Sequence, residues 1–239
     1  TGTITFLIIG FLMGLTTGFT VLTSQKFGAG RMDEMRKTVG NAAILSVVIA
    51  VVMTAVSMLG MHRLLVFMHT PEDIFDMSKE YIVIICVGII FTTLYNLTAS
   101  ILRAVGNSKV PLYFLILSAL LNVVLDLFFI MVLSWGVAGA AIATVISQGV
   151  SGILCLVFLL TKVDILKLKK EHFKLDPIGA KIQLNIGIPM ALQFSITAIG
   201  TMILQAALNL LGSTVVASYT AACKVEQLVT QAFQAMGMT

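Results

Sequence analysis

Three residues stand out as able to do chemistry. Asn122 and Asp126 are four apart, and Thr144 follows in the next hydrophobic segment. Four residues is one helical turn, so the amide and the carboxylate share a face. Asp126 lies inside the apolar run 111–133, where a charge at the centre of a membrane span costs roughly 2.5 to 3.5 kcal/mol on insertion scales. Such a group needs an internal partner or a task. A carboxylate beside an amide and a hydroxyl is a hard, oxygen-rich set suited to a proton or Na⁺. Burial opposes the ionised form, and the amide and hydroxyl support it. The alternative is a structural pair in which the amide quiets a buried acid.

That chemistry presupposes a membrane, and composition supplies one. The chain has 239 residues, 58% hydrophobic and 11% charged, with a mean hydropathy of +1.03. A soluble domain carries about 25% charged residues and cannot hide this much apolar surface. The expected fold is an all-α, polytopic membrane helix bundle. Seven segments reach the roughly 20 residues that a span requires: about 3–24, 39–61, 81–102, 111–133, 137–161, 186–211 and 214–239. The tight "SWG" turn joins the fourth and fifth in antiparallel fashion. Asp126 lies nine residues before Trp135 and Thr144 nine after, so both sit about 13 Å below the turn at 1.5 Å per residue. Asn122, Asp126 and Thr144 are expected to converge near mid-bilayer.

Orientation follows from charge. Twelve of the 15 Lys and Arg fall in the connections after spans one, three and five. The positive-inside rule puts that side in the cytoplasm. The net charge of +4 is this asymmetry and no sign of nucleic-acid binding. The opposite side holds the acidic "TPEDIFDMSKE", read as a short surface turn or helix. The basic connection "KLKKEHFKLDP" either meets anionic lipid head groups or is a solvated loop. It also suggests a boundary, giving a five-span block over 1–161, a connection over 162–185 and a new pair of spans over 186–239. Both ends fall within apolar runs, so the chain is expected to be a piece of a longer protein. "MGLT" at 13–16 and "MGMT" at 236–239 hint at an internal repeat, as transporters often have.

The last two spans carry polar ladders: Gln193, Thr197, Thr201, Gln205 and Asn209, then Thr220, Lys224, Gln227, Gln231 and Gln234. Hydrocarbon rejects such faces, so they line a bundle interior or a wet cavity. Gln193, Thr197, Gln205, Gln227 and Gln231 are the expected cavity residues, with interhelical hydrogen bonding as the alternative. Pro189 is expected to kink its helix. Cys86, Cys155 and Cys223 have no paired spacing and read as packing. His62, His69 and His172 offer no convergent metal ligands. Enzymatic motifs and a P-loop are missing, and "FGAGR" follows a membrane helix rather than a strand. No cofactor is expected; transport would draw on an H⁺ or Na⁺ gradient.

Four motifs carry a resemblance: "SQKFGAGRMDEMRKTVGNA" at 24–42, "LRAVGNSKVPLY" at 102–113, "LNVVLDLFFI" with "WGVAGAAIATVISQ" through 148, and "NIGIPMALQFSITAIG" at 185–200. In this order the chain resembles the multidrug and toxic compound extrusion (MATE) family along its whole length. The resemblance implies the second to eighth of twelve spans: an N-lobe lacking its first helix, plus the start of the C-lobe. It implies a multi-pass protein of a bacterial plasma membrane, monomeric when full length, that exports cationic or amphipathic small molecules in exchange for H⁺ or Na⁺ by alternating access. Asn122, Asp126 and Thr144 match the family's N-lobe ion site, and Thr197 replaces a C-lobe Glu of one branch. A lipid or polysaccharide flippase of the same superfamily, or a non-transporting receptor or subunit, are the other readings.

Overall fold

The computed structural model describes residues 2–67 and 72–209, with isolated helical positions at 218, 219, 222, 223, 226 and 230. The chain forms α1 (Gly2–Gly28), α2 (Met32–Phe67), α3 (Glu72–Ala104), α4 (Lys109–Leu127), α5 (Gly136–Lys162) and α6 (Pro177–Asn209). A π turn, Phe128–Val132, follows α4, and two short 3₁₀ turns, Asp164–Leu166 and Lys170–Phe173, lie between α5 and α6. Each of the six long helices holds a segment long and apolar enough to cross a membrane. The expected seventh span, 214–239, lies almost wholly outside the described residues.

The expected spans find the helices but underestimate them. α2 begins seven residues before position 39 and α6 nine before position 186. Hydropathy marks only the stretch that prefers hydrocarbon, whereas a helix continues into the head-group region as long as nothing breaks it. For the same reason residues 72–80 of the acidic segment form the first turns of α3. Pro189 sits inside a continuous α6.

The residues form two compact units, Thr1–Ile196 and Thr197–Thr239. The division falls within α6 because the connection and the first turns of α6 belong to the packing of the first unit. Buried Leu15, Phe19, Met35, Val39, Leu102 and Leu159 fill the half next to the basic connections. Ile8, Leu12, Met61, Leu65, Ile82 and Ile89 fill the other. Small residues let the helices touch. A Cβ on Gly18 would stand 2.4 Å from the Gly187 Cα, and one on Gly14 2.5 Å from the Ala191 Cα. α1 and α6 therefore cross antiparallel, backbone against backbone. At that crossing buried Gln183 donates to Phe19 O (3.0 Å) and Thr38 O (2.9 Å). One amide thus ties α6 to both α1 and α2. In the second unit, Thr201 Oγ1 donates to Ala198 O and Thr230 Oγ1 to Glu226 O.

The connection is bound rather than loose. Asn41 clasps Asp176 twice, Nδ2 donating to Asp176 O and Oδ1 accepting from Asp176 N at 2.9 Å. Arg36 Nε donates to Ile165 O at 3.0 Å. A Cβ on Gly40 would meet the His172 carbonyl oxygen at 1.9 Å, so the chain lies directly on α2. Buried His172 accepts Lys169 N–H at Nδ1. Lys167 bonds Asp164 at 2.8 Å and holds its carboxyl below the usual carboxylate range.

Gly18→Leu is expected to lower the thermal midpoint of the detergent-solubilised protein, since overpacking costs about 1–3 kcal/mol or more. Gly60→Leu, where no atom lies within 4 Å of the added Cβ, should leave the midpoint unchanged or raise it slightly. A second test concerns α3 and α5, where Thr92 Oγ1 donates to Gln148 Oε1. A Thr92→Val/Gln148→Leu double-mutant cycle should give a coupling of about 0.6 kcal/mol and no more than about 1.7. Zero coupling would make that bond idle.

Candidate functional site

The site is built on the α4–α5 hairpin. The π turn and the turn after it close the hairpin: Leu133 N donates to Phe128 O and Trp135 N to Phe129 O, with Ser134 and Gly136 both at φ +55°. The Phe129 and Trp135 rings stack at 5.2 Å. Ser151 Oγ donates to Phe114 O at 3.1 Å, fixing the antiparallel register. That register sets Asn122 opposite Thr144, and Asn122 Nδ2 donates to Thr144 Oγ1 at 3.4 Å. Thr144 Oγ1 donates in turn to Ala140 O at 3.0 Å.

Asp126 is bonded to neither. It lies one turn beyond Asn122 on the same face, half-buried, and its Oδ1 is buried with no hydrogen-bond partner. A buried oxygen without a donor is uncommon and calls for an explanation. Asn122 Oδ1 likewise accepts no hydrogen bond among the described residues, while its Nδ2 donates to Thr144. The face therefore presents two oxygen acceptors one helical turn apart with no proton to satisfy them. The π turn begins two residues after Asp126, and such irregularities frequently mark functional sites.

Sequence reasoning missed Tyr81. It lies on α3 within electrostatic range of the Asp126 carboxylate. Tyr95 Oη donates to Pro111 O at 3.2 Å, and counting back along these antiparallel helices puts Tyr81 level with Asp126. The only available signal was a tyrosine at the start of an apolar run, which reads equally well as an interfacial anchor.

The rest of the α5 stripe is structural. Ser147 donates to Thr144 O, Ser151 to α4, and Gln148 accepts from α3. Close packing supports this, since a Cβ on Gly152 would lie 3.2 Å from Tyr95 N. Gln193 and Thr197 of the α6 ladder are both exposed, and each has an interaction partner. The side chain of Gln205, and Gln227 and Gln231 altogether, lie outside the described residues. No cluster of three or more His, Cys, Asp or Glu that could hold a metal occurs among the described residues. Cys86, Cys155 and Cys223 are free thiols.

Comparison with known proteins agrees with this architecture. The MatE family profile matches residues 1–128. "Probable multidrug resistance protein YpnP" of Bacillus subtilis (strain 168) is 29% identical over 239 residues, covering 98% of this chain and 52% of that protein. A solved structure of the inward-facing conformation of a multidrug resistance MATE family transporter of the MOP superfamily superposes with a TM-score of 0.86 at 25% identity. It covers 95% of this chain and 52% of that one. An outward-facing structure gives 0.85 at 24% identity, covering 94% and 50%. The chain thus spans about half the length of the relatives it matches. Its helices, its hairpin and its profile match lead to one assignment: the chain belongs to the MatE family of multi-pass membrane transporters.

Proposed function

We propose that the transporter to which this chain belongs exports cationic or amphipathic small molecules by alternating access, in exchange for H⁺ or Na⁺ carried at Asp126. The observation that supports it best is the buried, donorless Oδ1 of Asp126 with the free Asn122 carbonyl one turn away. A purely structural acid would be hydrogen-bonded. This one has its acceptors open, as a reversible proton or Na⁺ site requires. The likeness to inward- and outward-facing relatives supports alternating access. On this reading 1–161 is the N-lobe block, 162–185 the connection and 186–239 the start of the C-lobe. Gln193, Thr197, Gln205, Gln227 and Gln231 line the cavity, and the protein works as a monomer without an enzymatic activity.

Asn122 and Thr144 serve Asp126 indirectly. Their mutual bond uses the Asn122 N–H and leaves its carbonyl oxygen free to accept. Loading the site can bias one orientation only by the difference in cation affinity between the two states.

Asp126→Asn keeps shape and removes the titratable charge. In vesicles with H⁺ and Na⁺ gradients imposed separately, the full-length variant should fold, bind substrate and lose at least tenfold in gradient-driven export. Wild-type rates at equal expression would make Asp126 structural. Cysteines placed at Gln193, Gln227 and Gln231 should label with a water-soluble maleimide from one side at a time. If all three stay unreactive in every state, the ladders are packing contacts.

A further inference from the structure

We propose that the cytoplasmic entry to α6, from Phe173 to Ile182, is a preorganised docking platform for anionic phospholipid head groups. The segment has two unlike faces. Its back, Gly179, Ala180 and Gln183, is buried, with Gln183 bonded to α1 and α2. Its front is apolar and open: Phe173 is 46% exposed, Leu175 51% and Ile178 75%. Ile178, Lys181 and Ile182 follow at helical spacing, so a cation and two aliphatic side chains share one outward ridge. A solvated loop has no reason to present these apolar groups to water. At the membrane boundary the same pattern is that of an interfacial segment, apolar side chains in the acyl boundary and lysine among the head groups.

Charge selects the lipid. Asp176, the described acid of the segment, is spent on the helix start: its Oδ1 accepts Ile178 N–H at 3.2 Å and its Oδ2 Gly179 N–H at 3.1 Å. Neither Lys174 nor Lys181 forms an ion pair among the described residues, whereas Lys26, Arg31, Arg36 and Lys167 do. Two unpaired cations beside open apolar groups, on the side that the basic loops place in the cytoplasm, complement the negative surface of the inner leaflet. The platform is also held in shape. The Asn41–Asp176 clasp and the Gly40–His172 contact set its first residues against α2, so little ordering remains to be done on binding.

Native mass spectrometry of the full-length transporter in detergent, titrated with phosphatidylglycerol or phosphatidylcholine, tests this. Phosphatidylglycerol should be retained preferentially, and the Lys174→Gln/Lys181→Gln variant should lose at least fivefold of that retention with its thermal midpoint unchanged. Equal retention of both lipids, or no loss in the variant, overturns the proposal. Should the variant fail to fold, a photo-cross-linker at Ile178 in the otherwise unaltered chain decides. Adducts with phospholipid uphold the platform, and adducts with another stretch of polypeptide show that protein covers it.

Discussion

Apolar contact alone cannot hold this bundle together, because lipid tails offer an apolar side chain the same contact that a neighbouring helix does. Its cohesion comes from what lipid cannot supply, namely backbone-to-backbone approach and hydrogen bonds. The Gly18–Gly187 and Gly14–Ala191 contacts supply the first. Gln183 supplies the second, donating to two helices from a fully buried position. The α3–α5 pair repeats the device, with Gly152 admitting the Tyr95 backbone and Thr92 bonding Gln148. α4 lacks it. Only Pro111 is buried along α4, and its hydrogen-bonded ties to the rest are the short hairpin turn and the Ser151, Asn122–Thr144 and Tyr95 bonds.

Much of this was legible in the sequence. Apolar runs mark helices without ambiguity when the solvent is hydrocarbon, and a three-residue turn between two spans forces an antiparallel hairpin. Counting set Asp126 level with Thr144 and brought Asn122 in from the next turn; the structure instead bonds Asn122 to Thr144 and leaves Asp126 one turn away. The helix ends were not legible, because polar turns of α2, α3 and α6 extend past the hydrocarbon that hydropathy detects. Nor was the role of the α5 stripe. Thr144, Ser147, Gln148 and Ser151 look alike by periodicity, yet they face different helices, and only neighbours on α3 and α4 sort them. The docked connection was hidden for a related reason: Asn41 and Asp176 are 135 residues apart, and no local pattern announces that pairing.

If Asp126 carries the coupling cation as proposed, its placement on the least embedded helix has a mechanistic consequence. Asn122 and Thr144 belong to one tight hairpin, so their bond holds wherever the hairpin goes and contributes equally to cation affinity in every orientation. A contribution equal in both states shifts no equilibrium. On the proposed reading, the difference that couples a gradient to motion comes from groups that approach Asp126 from other elements. Tyr81 on α3, level with the carboxylate by the helix register, is the group placed to do so on that reading. On the proposed reading, Asn122 and Thr144 set how well a cation is held, and the groups facing the hairpin set what holding it does.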